Sequence, residues 1–328
     1  MNPRSAFALL LTFITTSLAL PLASQAALKN QYILQSTTSY PEGITFDPVS
    51  RNFFPTALFG GAITRVPADG GSESVFFQET GNPNLSFGGA KVDAVRRILW
   101  VCTVDLTHSP APVGGIYGIR ILPGNAQGQL IHSIPLPMPS FCNDIALDAF
   151  GQAYATNSLS SDIYKIDPST NTASVFASSP LLTPAGIGVN GLQVTPDQSH
   201  LIVVTSQPAG VYSISIHNPS DVRPVTLNGG TVFVPGDLRL PGPDGLLFVG
   251  QKAYIVENGA VLQLTFKNRN YDVADVKTTF DIVNGLSSGT EAFGKLYVID
   301  SQVFPVVDAG LPPVLPFQIV KVKRNLFH

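Results

Sequence analysis

The chain has 328 residues, of which 44% are hydrophobic and 12% charged, with a formal net charge of -3. Charge this sparse leaves no basic surface to neutralise phosphates, which excludes nucleic acid as a partner. The 29 glycines and 27 prolines are spread along the whole chain, as many short strands joined by tight turns require.

Residues 1–26 read as a signal peptide. Arg4 supplies the positive start, Ala6 to Leu20 is apolar, and Pro21 breaks the run ahead of Ser24-Gln25-Ala26, where cleavage is expected after Ala26. The apolar run is short for a span and no stop-transfer charges follow it. The mature protein is therefore expected to be secreted or to stay in the secretory-pathway lumen, free of the membrane after cleavage; an uncleaved anchor is the alternative. That route permits Cys102 and Cys142 to form a disulfide, while two buried thiols are the other reading. Asn84-Leu85-Ser86 is a glycosylation sequon in a turn-like stretch.

From residue 27 onward the chain reads as one repeat array. Gln31 to Ser36 is an isolated strand that needs a partner, and Phe317 to Val322 is the neighbour expected to close the ring with it. A first blade runs from Glu42 through Asn52–Ala57 and Ala62–Val66 to Ser74–Phe77. The second starts near Phe87-Gly88-Gly89 without a polar head residue, and includes Ile98–Thr103 and Gly115–Ile119. The third, Asn143 to Ala177, is the most regular. Blades four and five follow with Leu201–Thr205, Gly210–Ile214, Lys252–Val256 and Val261–Leu264, and a sixth opens at Gly289-Thr290-Glu291-Ala292. Starts recurring about every 50 residues, with no sustained helical period, predict an all-β, six-bladed β-propeller.

The blade starts carry the chemistry. Pro41-Glu42-Gly43, Asn143-Asp144, Asn190-Gly191 and Pro243-Asp244-Gly245 each precede an apolar strand. Taken singly, each is a turn residue, and Glu42, Asn190 and Asp244 sit beside a glycine that allows the bend. Radial symmetry, however, aims Glu42, Asn143, Asn190 and Asp244 into the same end of the channel, where two carboxylates and two amide oxygens suit a divalent cation such as Ca²⁺, Mg²⁺ or Mn²⁺. Other motifs lack their structural context. Gly186 to Gly191 matches dinucleotide-loop spacing but opens a strand, and Gly285-Leu286-Ser287-Ser288-Gly289 reads as an inter-blade loop, not a nucleophile elbow. The five histidines show no metal-binding spacing.

These heads resemble the gluconolactonase and regucalcin (senescence marker protein) superfamily of six-bladed propellers, over nearly all of the mature chain. The resemblance implies that Glu42, Asn190 and Asp244 bind the metal, that Asn143 touches metal-bound water or substrate, and that Asp244 is also the catalytic base. Two departures matter: where sugar-lactone members have an arginine and an acidic residue, this chain has Phe141 and Ser161. With Phe141 and Tyr40 beside the site, the expected partner is a small apolar metabolite. The chain is also similar in build to secreted fungal propellers of secondary metabolism, including hetero-Diels-Alderases. The expected function is thus a non-hydrolytic cyclisation assisted by Asp244 and Asn143, with metal-dependent lactone hydrolysis and non-catalytic binding as alternatives.

Overall fold

The computed structural model describes residues 27–229, 243–280, 285–303, 310 and 312–327; the expected leader, 1–26, and His328 lie outside them. The described strands form six sheets arranged as a β-propeller, antiparallel throughout except where the edge strand β18 (Thr226–Asn228) pairs in parallel with β22 (Val273–Phe280). Each blade begins with an innermost strand: β2 (Pro41–Asp47), β6 (Leu85–Asp93), β10 (Cys142–Leu147), β14 (Val189–Val194), β19 (Pro243–Val249) and β23 (Leu286–Ala292). The last blade is completed by β24 (Lys295–Asp300), β25 (Gln318–Lys321) and the N-terminal β1 (Gln31–Ile33), with Tyr32 opposite Ile319. The chain is therefore closed by its own two ends, as expected.

Buried residues fall into six hydrophobic clusters, one at each blade-to-blade interface. A blade is covered on both faces, so its strands lack the alternation of a half-exposed sheet: all six residues of β3 (Asn52–Ala57) are buried. The closing interface unites Phe46 and Phe53 of the first blade with Tyr297, Ile299 and Phe317 of the sixth. Four outer strands lacked a clear pattern in the sequence: β9 (Gln129–Pro135), β17 (Val222–Pro224), β18 (Thr226–Asn228) and β22 (Val273–Phe280). The first two are largely solvent-facing, so they carry little of the apolar signal by which strands are recognised. Among the described residues no helix is long and apolar enough to cross a membrane.

Two expectations for the sixth blade are corrected. It opens at Leu286, not Gly289, and Leu286 to Gly289 belongs to the innermost strand, not to a loop. The small residues Ser287-Ser288-Gly289 resemble a linker in composition; pairing with β24 and complete burial of Leu286 and Ser287 override that local preference.

Cys102, on β7 (Ile98–Asp105), and Cys142, at the start of β10, are held as a disulfide with Cα atoms 5.2 Å apart, 40 residues apart in sequence. The bond staples blades two and three inside their shared core. Loop-closure entropy for that length sets its contribution at about 3–4 kcal/mol. Replacing both cysteines by Ala is expected to lower unfolding free energy by that amount in urea titrations, and adding reductant should reproduce the loss in the unmodified protein but not in the variant.

Candidate functional site

All six innermost strands carry a β-bulge at the same register. Two residues there face one on the neighbouring strand, so the extra residue bends the strand end and re-aims its side chain. The bulged pairs are Glu42-Gly43, Gly88-Gly89, Asn143-Asp144, Asn190-Gly191, Asp244-Gly245 and Ser287-Ser288. In this way the fold brings Glu42, Asn143, Asn190 and Asp244 into one axial cavity, together with Asp144, Ser287 and Ser288. The second blade contributes only Gly89 to the lining. The cavity is about 10 Å³, measured as the volume open to the centre of a water-sized sphere, which is room for a single water or ion.

Hydrogen bonds fix Asn190, Glu42 and Asp144 in place. The Asn190 amide Nδ2 donates to Ser206 Oγ at 2.9 Å, and Ser206 Oγ donates onward to the Pro243 carbonyl at 2.6 Å. Its nitrogen thus anchored, Asn190 leaves Oδ1 buried without a hydrogen bond, and Asp244 Oδ2 is in the same state. Ser287 Oγ donates to the Glu42 carbonyl at 2.6 Å, while Ser301 Oγ donates to Glu42 Oε2 at 3.4 Å. Asp144 is held differently: Oδ1 accepts from the Ile145 N–H at 2.8 Å and Oδ2 from the Leu192 N–H at 3.3 Å. It therefore ties blade three to blade four and has little capacity left for a ligand. The Asn143 amide makes no side-chain hydrogen bond among the described residues and borders the cavity.

Electrostatics reinforce the picture. Burial pushes Glu42 up to about 7, with the negative charge of Asp144 adding to it and the Ser301 hydrogen bond opposing it. Asp244 is raised well above the ordinary carboxylate range by burial, then by the charges of Glu42 and Asp144. Asp144 reaches about 6 through burial, moderated by the nearby Lys91 ammonium, whose own burial lowers its pKa. Three carboxyl groups converging, with one lysine beside Asp144 alone, are short of positive charge. Two unpaired buried oxygens, on Asn190 and Asp244, beside the Glu42 carboxylate are the donor set a hard cation needs. Among the described residues no three His, Cys, Asp or Glu side chains form a metal-holding group, so the fit depends on the Asn190 amide.

Tyr40 and Phe141 do not line the axial cavity. The Tyr40 ring packs edge-on against Phe59 and Phe317, with centroids 5.5 and 5.3 Å away. Phe141 is placed by its N–H, which donates to Asn157 Oδ1 at 2.9 Å. Asn84 is exposed in the turn before β6. Sequence reasoning missed Asp144, Ser287, Lys91, Ser206 and Ser301. Asp144 and Ser287 were legible in principle, because each occupies a bulge position that the other heads define; Lys91 and the two serines become partners only through packing between blades.

No protein-family model matches the chain, and no curated protein matches its sequence. Its fold is similar to several solved propellers. Mala s 1, the major allergen of Malassezia sympodialis, aligns with a TM-score of 0.72 at 15% identity, covering 92% of this chain and 98% of the allergen. A luciferin-regenerating enzyme aligns at 0.64 with 11% identity, covering 90% and 96%. The PQQ-bound aldose sugar dehydrogenase of Streptomyces coelicolor aligns at 0.60 with 14% identity, covering 90% and 99%. The chain is a six-bladed propeller of the architecture that these proteins share, and at such identities the likeness extends to the fold alone.

A buried carboxyl outside the cavity lining sets a pH dependence. Glu257, at the end of β20 (Lys252–Glu257), is 1% exposed, and burial pushes it up to about 8. Because the folded value exceeds the unfolded one of about 4.5, its contribution to stability is complete below pH 4.5 and is lost as pH rises through 8. Glu257→Gln is expected to raise unfolding free energy at pH 8.5 by about 2 kcal/mol or more and to have little effect at pH 4.5. Denaturant titrations at the two pH values measure this.

Proposed function

We propose that the axial ring is the active site of a cation-assisted enzyme of secondary metabolism, acting on a small apolar molecule in the secretory pathway by non-hydrolytic cyclisation of the hetero-Diels-Alder type. The observation that carries the proposal is the pair of buried oxygens without partners, Asn190 Oδ1 and Asp244 Oδ2, beside Glu42 in a space that admits one ion. Glu42, Asn190 and Asp244 would hold a divalent cation, Ca²⁺, Mg²⁺ or Mn²⁺. Its chemistry there would be Lewis acidity toward a substrate oxygen. The residues themselves supply orientation. Ser206 fixes the Asn190 amide and Ser287 the Glu42 backbone, so the ring needs no rearrangement when substrate arrives. Asn143, the side chain still unengaged, donates to the oxygen of a heterodiene and lowers the barrier to ring formation. Holding two π-systems in one orientation contributes the remainder.

Among the described residues no Arg, Lys or His lines the cavity, which disfavours a clamp for a charged or polyhydroxylated substrate. Tyr40 and Phe141, which do not line this ion-sized cavity, are proposed to contact only the part of the substrate that extends beyond it. Propellers of this architecture include dehydrogenases, a luciferin-regenerating enzyme and a virginiamycin B lyase, so the scaffold hosts several reaction types and supports an enzyme in general terms. The disulfide is in keeping with an oxidising compartment, where Asn84 would be open to glycosylation.

Lactone hydrolysis is the second reading, and the free Asp244 Oδ2 favours it as a base for water. Two measurements separate these ideas. Elemental analysis should find one divalent cation per chain, lost in Glu42→Ala and Asp244→Ala; a metal-free, fully active protein would sink the cation. Turnover of apolar heterodiene precursors and a lactone panel in ¹⁸O-water should yield a mass-neutral, unlabelled cyclic product, about 100-fold slower in Asn143→Ala. Label in a ring-opened acid would instead establish hydrolysis.

A further inference from the structure

The end of the propeller opposite the axial ring carries a second cavity, between blades one and two. It is about 600 Å³, within the range of small-molecule sites. The turn joining β2 to β3 forms one wall, the turn joining β6 to β7 another, and the segment after β8 (Val113–Arg120) the third. Its apolar lining includes Val49, Ile121 and Leu122, with Val49 64% exposed. Its polar lining is dominated by three arginines: Arg96, Arg97 and Arg120.

The arginines differ in how far they are already used. Both terminal nitrogens of Arg97 are taken by Asp47 at 2.7 Å. Arg96 divides its own between Asp93 Oδ2 at 2.9 Å and the Phe150 carbonyl at 2.6 Å. Arg120 makes no side-chain ion pair or hydrogen bond among the described residues, so its entire guanidinium fork is open. Three cations against two carboxylates leave one positive charge in excess at this corner, in a chain whose net charge is -3.

A separate observation points the same way. Beneath the same loop lies Arg65, 1% exposed, which donates through Nη2 to the Ala126 carbonyl at 2.7 Å. Its Nε and Nη1 have no hydrogen-bond partner. A buried, incompletely satisfied guanidinium is costly, and it adds to the positive potential around the loop that walls the cavity.

We propose that this cavity binds a small amphipathic anion: a sulfate, carboxylate or phosphate group paired with Arg120 and an apolar body laid against Val49 and Leu122. Guanidinium geometry suits such oxyanions, and the apolar wall gives a hydrophobic body an advantage over a bare inorganic ion. The site is independent of the axial ring and of the reaction assigned to it.

Titration calorimetry with naphthalene-2-sulfonate tests the proposal. Saturable binding at one site is expected, weakened at least tenfold in Arg120→Glu and about threefold in Leu122→Ser, and unchanged in Asp244→Ala. Inorganic sulfate and naphthalene-2-methanol should each bind at least tenfold more weakly than the sulfonate. Arg120 is exposed and without a described partner, so an unaltered melting temperature in Arg120→Glu would show that the fold is intact. Equal affinity in the unmodified protein and Arg120→Glu, loss of binding in Asp244→Ala, or no saturable binding would each overturn the assignment.

Discussion

The close approach of the innermost strands around the axis is the constraint on which the rest of the molecule depends. At the bulge of each of four blades the second residue is glycine, and none of these has a left-handed backbone conformation. What demands glycine is proximity. A Cβ on Gly43 would run into the Gly88 carbonyl, one on Gly89 into the Asp144 carboxylate, and one on Gly191 into the Asp244 carbonyl; on Gly245 it would lie 2.8 Å from the Ser287 carbonyl. Each glycine thus lets its blade seat against the next, and the residue before it is carried to the axis. The turn explanation suggested by Glu-Gly, Asn-Gly and Asp-Gly is replaced by a packing explanation, and the same glycines that close the ring narrow its cavity to the size of one ion.

That constraint also explains how much could be read from the sequence. The heads and their following strands were legible because a glycine beside a polar residue, ahead of a doubly buried apolar run, is an uncommon local pattern repeated at one period. The sixth head was not, because Ser287-Ser288 has neither a charge nor a glycine, and the apparent start slid to the glycine behind it. Asp144 was hidden by its neighbour: Asn143 looked like the head, whereas the carboxylate after it bridges two blades through backbone N–H groups. Tyr40 and Phe141 illustrate a different limit. Adjacency in sequence to Glu42 and Asn143 suggested adjacency to the cavity, yet the bulge that turns the head toward the axis leaves the preceding residues packed among other rings or in backbone pairing. Outer strands β9 and β17 escaped notice for a third reason, since edge strands facing water carry little apolar pattern.

The disulfide belongs to the same level of the structure as the ring. Cys102 lies opposite the bulge of blade two, the blade without a polar head, and Cys142 directly precedes Asn143. Blade two therefore contributes to the axis by its covalent tie and by Lys91, not by a ligand. Lys91 supplies positive charge beside Asp144, while Glu42 and Asp244 face each other without such relief. The asymmetry divides the ring into a neutralised side, toward blades two and three, and an acidic side, toward blades five and one.

The charged groups do different work at the two ends of the propeller. At the axial end, carboxylates are gathered beyond what Lys91 can balance. At the opposite end, turns of successive blades are laced together by arginine and glutamine: Arg51 lies over the Phe293 ring, Arg97 grips Asp47, Arg96 reaches the Phe150 carbonyl, and Gln198 Oε1 accepts from the Ala149 N–H. These contacts join blades six, one, two, three and four in sequence. The lacing occupies Arg51, Arg96 and Arg97, whereas the neighbouring Arg120 takes no part in it. The two ends differ in this way because of the topology: every innermost strand starts at the axial end, where the bulges gather the head residues, and makes its tight turn at the other.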